Sequence, residues 1–424
     1  MILTDNDILK FAIENGMIDL SSIQNDIEMK KRNQYLEKHT YRIWQGNNGK
    51  WYTYIPDQEK GRKLIKRTAE KDIEDFVIKF YEETDEETVK SKELDNMTLK
   101  TLYCKWIKHK TLHTNSSSYI RRINADWRAY YENDDIVKIP IRKLSKIELD
   151  EWAHKMIKRH NMAKTKYYNM SIILRQSLQY AKDCGYIEYN PCDDVVIDSK
   201  MFRGKWKKDN KEEVFLTDEE PIIKEYCRKK HEDNPKNTTA LAILLMFELG
   251  CRVGELVALS KSDINGNYIH ICHQEVSVYD LESEDYDYIG TKVVPYTKTD
   301  CGDRNVYLST EARKLISRLL ETNKRYGYSE GDFIILNRNG RTKSSSINKR
   351  LSEYCKDAGI SHKSAHKIRK TYISKMIDGN INIKTVMQQA GHVSAKTTYS
   401  NYCFDRNIES EIENKIENIL CSNL

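Results

Sequence analysis

The sequence predicts a multidomain fold: a small three-stranded sheet plus a helix, an all-α bundle, and a mixed α+β, mainly helical C-terminal domain. Three observations carry that prediction. At 424 residues the chain exceeds what one core usually supports, and about 150 residues per domain gives two or three. The texture changes near Thr98 from aromatic and β-branched runs to continuous helical periodicity. The stretch KMFRGKWKKDNK, residues 200–211, sets six basic residues against the single acid Asp209 and reads as a linker.

Taken in order, residues 1–37 read as a helical N-terminal segment with spaced Ile and Leu among many charges. Residues 38–90 hold the sheet: TYRIWQG, NNGKWYTYIPD and GRKLIKRT are short strand-like runs separated by Gly and Gly-Asn turn signals. AEKDIEDFVIKFYEE follows, with Ile73, Phe76, Val77 and Phe80 at helical spacing to cover one sheet face. Residues 97–199 read as four or five helices, the last ending at the C-cap signal Gly185. After the basic linker 200–212, residues 213–424 form the last domain, whose first helix is expected to start with Thr217 as N-cap and Glu220 completing a capping box. Its β section is NYIHICHQ, TKVVPYTKT and NVYLS. In the tail, 407–420, Ile408, Ile412, Ile416 and Ile419 make one apolar stripe.

Composition narrows the function classes. With 70 Lys and Arg against 64 Asp and Glu, a net charge of +6 and 32% charged residues, sizeable basic faces and a nucleic-acid partner are permitted. The ten cysteines form no CxxC pair and no Cys/His cluster at zinc-ligand spacing, so no structural metal and a reduced compartment are expected. The N-terminus has acids at Asp5 and Asp7 and no basic segment ahead of an apolar run, and no apolar stretch approaches the roughly 18 residues of a membrane span. A cytoplasmic protein without a membrane partner is the expectation.

Five places in the last domain hold residues suited to chemistry. FELGCRVGELVAL places Arg252 at the start of a helix with Glu255 three residues on. PYTKTDCGDRNVYL holds Lys298 ahead of a turn, SAHKIRKTYISKMIDG puts His366 and Arg369 on one helix face, and QQAGHVSAKTTYSNYCFDRN contains Gly391-His392 followed by Tyr399 and Tyr402. Singly each has an ordinary reading: a helix ion pair, a hairpin lysine, surface residues, two of 27 tyrosines. In order, over the 151 residues from Arg252 to Tyr402, they resemble the tyrosine recombinase (phage integrase) family, whose catalytic set is Arg, Lys, His-x-x-Arg, His or Trp, and Tyr. LTDEE matches the usual opening of that catalytic domain, the helical region resembles the family's core-binding domain, and the sheet with its helix resembles an arm-type DNA-binding domain.

The resemblance implies site-specific DNA recombination without metal, ATP or other cofactor. Arg252 and Arg369 would hold the scissile phosphate, His366 would handle the tyrosine proton, Lys298 would protonate the departing 5′ oxygen, and His392 would donate to a phosphate oxygen. It implies a 3′-phosphotyrosine intermediate, double-stranded DNA with core and arm attachment sites, a homo-tetramer in the synaptic complex, and an excisionase or host DNA-bending protein as further partners. The family tyrosine usually lies nine residues after the second histidine, which here is Asn401; Tyr402 is ten away and Tyr399 seven. Tyr402 is the smaller displacement and is expected to be the nucleophile, with Tyr399 as the alternative. Two other functions share parts of this pattern: a type IB topoisomerase, which would have little use for an arm module, and a DNA-binding regulator that does not cut, for which the full set would be coincidence.

Overall fold

Short runs rich in Trp, Tyr and Ile between glycine turns form the N-terminal sheet. In the computed structural model, which describes residues 20–57, 61–204 and 209–421, β1 (Trp44–Gln45), β2 (Trp51–Asp57) and β3 (Gly61–Arg67) pair antiparallel in the order β1-β2-β3, with Trp51 opposite Arg67 and Asp57 opposite Gly61. Alternation along the strands sends Thr53, Ile55 and Ile65 to a buried face. That face packs with Ile73, Val77 and Tyr81 of α2 (Glu70–Asp95) and with Tyr35 and Leu36 of α1 (Leu20–Lys38). The readings made for residues 1–19 and for Lys205, Lys207 and Lys208 of the basic linker lie outside the described residues.

By contacts the chain divides into two compact units. One runs to Trp106 and adds Tyr130–Lys155 and Ser171–Ile197; the other comprises Ile107–Ala129, Met156–Met170 and the chain from Asp198 onward. The helices expected between Thr98 and Val196 are α3 (Leu99–Leu112), α4 (Ser117–Tyr130), α5 (Lys146–Arg159), α6 (Lys164–Met170) and α7 (Ile172–Asp183). Past the end of α7, Gly185 adopts φ +72°, and the Tyr186 N–H reaches back to the Ala181 carbonyl at 2.8 Å, closing the turn as a left-handed cap.

The second unit is organised on one helix that is apolar on every side. In α9 (Thr238–Leu249), ten of twelve residues are buried, as an all-round hydrophobic helix requires. It is surrounded by α8 (Glu219–Asp233), α10 (Thr310–Tyr326), α11 (Ser344–Asp357) and α12 (Ala365–Asp378). A three-stranded antiparallel sheet, β4 (Ile264–Asn265), β5 (Tyr268–Ile271) and β8 (Arg304–Tyr307), flanks this core, and β6 (Gln274–Tyr279) with β7 (Tyr288–Val294) forms a separate hairpin. Two-residue strands β9 (Leu336–Asn337) and β10 (Gly340–Arg341) precede α11. The chain ends in α13 (Ile383–Ala390), α14 (Ala395–Tyr402) and α15 (Glu409–Cys421). Ile416, Ile419 and Leu420 of α15 are exposed, and no residue of that helix is buried. Among the described residues no helix is long and apolar enough to cross a membrane.

The structure corrects the expected start of α8. Asp218, not Thr217, occupies the N-cap, and it makes no side-chain cap bond. The Thr217 hydroxyl instead donates to Glu411 Oε2 at 2.7 Å, and Glu220 is buried against Lys224 and Arg406. A buried carboxylate gains more from fixed cations than from one exposed backbone N–H, so the long-range pairs displace the local box.

Candidate active site

The site is built where three chain segments turn sharply. Helix α9 stops at Gly250, whose φ of +58° is left-handed and whose added Cβ would lie 2.1 Å from the Tyr372 ring, so glycine is required twice over. The turn delivers Arg252 to the N-cap of the single helical turn Val253–Leu256. There Arg252 Nη1 donates to Glu255 Oε1 at 2.6 Å, while Glu255 Oε2 accepts from the Arg252 backbone N–H at 2.9 Å and from Arg304 Nη2 at 2.8 Å. Arg304 also donates to the carbonyls of Gly302 at 2.7 Å and Gln389 at 2.8 Å, tying β8 to α13. Glu255 is the shared counter-charge of two arginines.

Arg369, on α12, is wholly buried. Its Nη1 donates to the Gly250 carbonyl at 3.0 Å and its Nη2 to the Ala390 carbonyl, which bridges the first segment to the third. Helix α13 ends at Gly391, φ +68°, where a Cβ would sit 2.8 Å from the Cys301 carbonyl oxygen. His392 follows and is buried, its Nδ1 at 3.0 Å from Thr398 Oγ1. Tyr402, the last residue of α14, packs its ring 4.3 Å from the His392 ring and 5.5 Å from the His366 ring, with the Arg369 guanidinium carbon 5.7 Å from its centroid. Ser374 fixes this end of α14 by donating to the Tyr402 carbonyl at 2.7 Å and accepting from the Phe404 N–H at 3.1 Å.

Of the six residues singled out in the sequence, Arg252, His366, Arg369, His392 and Tyr402 thus come together, the first through Glu255 and Arg304. Lys298 does not join them by any contact: it is exposed in the turn after β7, and among the described residues no acid pairs with it. Tyr399, the other tyrosine considered, is 53% exposed. Two buried nitrogens of the cluster, Arg369 Nε and His392 Nε2, have no hydrogen-bond partner among the described residues.

The field of the cluster is strongly positive. Loss of hydration, then Arg369, Arg252, Arg304 and His366, hold the His392 imidazole down to about 3. His366 is held down to about 4, by desolvation first and then by Lys370, Arg369, Lys367 and Arg252; since His366 keeps open surface, the cations are the firmer cause. Burial alone would raise Glu255, but Arg304, Arg252 and Arg369 outweigh it and keep its carboxyl below the usual range. Both imidazoles are therefore neutral at pH 7, and the site as a whole asks for an anion.

Arg304, Thr398 and Ser374 escaped the sequence reading. Arg304 pairs with an acid 49 positions away, and Thr398 and Ser374 are ordinary helix residues by pattern, so nothing local marks them.

Known proteins resemble this chain in sequence and in fold. Residues 213–407 match the Phage integrase family. The chain is 23% identical over 385 residues to the tyrosine recombinase XerC-like protein of Caldanaerobacter subterraneus subsp. tengcongensis, covering 84% of this chain and 93% of that one. It is 26% identical over 179 residues to the integrase of Staphylococcus phage L54a, covering 40% of this chain and about half, 49%, of the relative. Among solved structures, the Tn1549 transposon integrase (residues 82–397) in complex with circular intermediate DNA aligns with TM-score 0.56 at 18% identity over 76% of this chain and 99% of that chain. A lambda integrase dimer bound to a COC′ core site aligns with TM-score 0.51 at 17% identity, covering 86% and 95%. These two likenesses are of fold.

Proposed function

We propose, from the premise that this chain is a tyrosine recombinase of the phage integrase family, an enzyme of DNA breakage and rejoining, that it integrates and excises a mobile element through a 3′-phosphotyrosine formed on Tyr402. The observation that carries the reading is the pair of orphaned buried nitrogens, Arg369 Nε and His392 Nε2, beside the Tyr402 ring. An unsatisfied buried polar group costs about 1–3 kcal/mol, and a scissile phosphate supplies the acceptors that would remove that cost. In the tautomer that carries the His392 ring proton on Nε2, Nδ1 accepts from the Thr398 hydroxyl and Nε2 is available to a phosphate oxygen.

In this reading Arg252 and Arg369 hold the non-bridging oxygens, where negative charge grows in the transition state. The Tyr402 oxygen attacks phosphorus, its proton passes to neutral His366, and the bond to the 5′ oxygen breaks as Lys298 protonates that oxygen. A phosphate in the site would raise the His366 pKa toward neutrality, since it offsets the cations that lower it. The reverse step, attack by a 5′-hydroxyl from another strand, restores the DNA and frees Tyr402 without ATP or metal.

The N-terminal module supports an arm-type role. One face of its sheet is packed on helices, and the other carries Lys66 exposed, with the Arg62 guanidinium 4.5 Å over Tyr54 and Trp44 stacked near Tyr52 at 5.8 Å. Cations interleaved with aromatics on an open sheet face suit a DNA backbone. The unburied stripe of α15 supports docking onto a neighbouring protomer in a tetramer on DNA.

A nicked suicide duplex carrying the element's own ends tests the reading. The full chain should form a covalent adduct in EDTA, with the DNA on Tyr402 by peptide mapping; Tyr402→Phe should bind DNA and form none, while Tyr399→Phe still cleaves. DNA mapped to Tyr399, or a strict magnesium requirement, would overturn the mechanism.

A further inference from the structure

A second group of reactive side chains lies outside the set around Tyr402. Asp263 closes the one-turn 3-10 helix Lys261–Asp263 ahead of β4, and Cys272 and His273 are the two residues that link β5 to β6. The fold brings them within reach of one another. Cys272 Sγ is 3.1 Å from His273 Nδ1 and 3.8 Å from Asp263 Oδ1, and His273 Nδ1 is 3.7 Å from Asp263 Oδ1.

Those three distances have a common geometric meaning. A tetrahedral zinc ion with bonds of about 2.3 Å to sulfur and about 2.0 Å to nitrogen and oxygen separates its ligand atoms by roughly 3.3–3.6 Å. The three donors therefore already mark one face of such a tetrahedron, each edge within about 0.5 Å of what the ion requires. A thiolate, an imidazole and a carboxylate together suit a borderline-soft divalent ion, zinc above all, and not magnesium or calcium.

Charge points the same way. Asp263 is 7% exposed, yet among the described residues no Lys or Arg pairs with it; its nearest candidate cation is His273, which is charged only when protonated. A buried carboxylate without a cation is costly, and a metal ion would supply one. The supporting contact is also in place, since Asp263 Oδ2 accepts the Ser260 backbone N–H at 2.8 Å and so holds Oδ1 toward the thiol and the ring.

We propose that Asp263, Cys272 and His273 bind one zinc-type divalent ion, with a water in the fourth position, and that the ion pins the Ser260–Asp263 turn to the β5–β6 link. On binding, Cys272 loses its thiol proton to solvent and Sγ takes the metal, while the Nδ1 lone pair of neutral His273 forms the second bond. The ion is structural: the chemistry at Tyr402 needs none.

The test uses the full chain, stripped with chelator and titrated with Zn(II) and, separately, Co(II). Expected are uptake of one equivalent, a sulfur-to-cobalt charge-transfer band, and a melting point raised by zinc. Cys272→Ser should abolish the band and the zinc-dependent rise although nine other cysteines remain. His273→Gln should weaken uptake at least about tenfold. Asp263→Asn should also lose affinity while keeping the oxygen that accepts the Ser260 N–H, which serves if Cys272→Ser does not fold. No uptake by the wild-type chain, or unchanged uptake in Cys272→Ser and His273→Gln, overturns the proposal.

Discussion

The residues proposed for the reaction fall into two groups that are held in different ways. On one side Arg369 is fully buried and bonded to carbonyls of two chain turns, and Arg252 and Arg304 share the buried Glu255. On the other side Lys298 stands exposed in the turn after β7, bonded to no acid among the described residues. The anchored side is already shaped before any DNA arrives, whereas the free side can be placed only by contact with what binds. In the proposed mechanism the difference places charge stabilisation in the fold and leaves proton delivery to the leaving group to the complex.

The largest expected effect comes from breaking the anchored side. Arg369→Ala should lower single-turnover cleavage by about 10²- to 10³-fold, the range for removing one preorganised donor to a developing oxyanion. Arg369→Lys should not restore it, because an ammonium cannot reach the carbonyls of Gly250 and Ala390 together and still present a donor. Full rescue by Lys would mean that bulk charge matters and anchoring does not.

Lys298→Ala, at an exposed and unanchored position, should cost about 10²-fold, the low end for a general acid, and through a different step. A substrate whose 5′ bridging oxygen is replaced by sulfur leaves without a proton, so the variant should cleave it nearly as fast as the wild type does. The same sulfur substitution should not rescue Arg369→Ala. If it rescues both or neither, the division of labour between the two sides is wrong.

How much of this was legible in the sequence depends on the range of the interaction. Gly185, Gly250 and Gly391 mark helix ends by local chemistry, and the apolar spacing of Ile73 and Val77 marks the face that covers the sheet. The fold class follows from such local signals. The Arg304–Glu255 pair, the Thr217–Glu411 bond and the Asp263–Cys272–His273 group do not, because each joins residues that only the folded chain makes neighbours. The Thr217 and Glu220 reading failed for that reason: a valid local box lost to distant partners. The hairpin strand β6 was also missed, since QEVSVY mixes polar and apolar residues and all six are only half-buried.

A smaller, graded effect should appear with pH. The imidazoles of His366 and His392 are held down to about 4 and about 3, below their ordinary 6.5. As pH falls below 6.5 the unfolded chain takes up protons that the native site refuses, so stability should fall from there down through about 4 and 3. Glu213, lowered to about 2 against the opposing effect of burial by its pairs with Lys367 and Lys370, adds to the loss below 4.5. Urea midpoints across this range measure it; His392→Gln should flatten the slope, and bound core-site DNA should flatten it further by countering the cations. A slope unchanged by His392→Gln would place the proton uptake elsewhere.

The last prediction concerns the other unanchored element, α15. If exposed parts of this enzyme are those completed by a partner, α15 should resemble Lys298 and not Arg369: dispensable until the assembly forms. Its Ile416, Ile419 and Leu420 are exposed, while Ile412 is half-buried and Glu411 accepts from Thr217 Oγ1 at 2.7 Å. The buried Arg406, bound to Glu220 and to the Phe215 carbonyl, lies before the helix and would remain in a chain ended after that residue. Such a chain should melt within a few degrees of the full protein and bind a single core site equally well, since it loses one partly exposed hydrogen bond, worth about 0.5–1.5 kcal/mol, and apolar side chains that are at most half-buried. Synapsis of two sites, read as a slow-migrating complex, and recombination between them should be lost or greatly weakened. An insoluble or non-cooperatively melting truncated chain would show that α15 belongs to its own core, and the contrast between anchored and partner-completed elements would then rest on Lys298 alone.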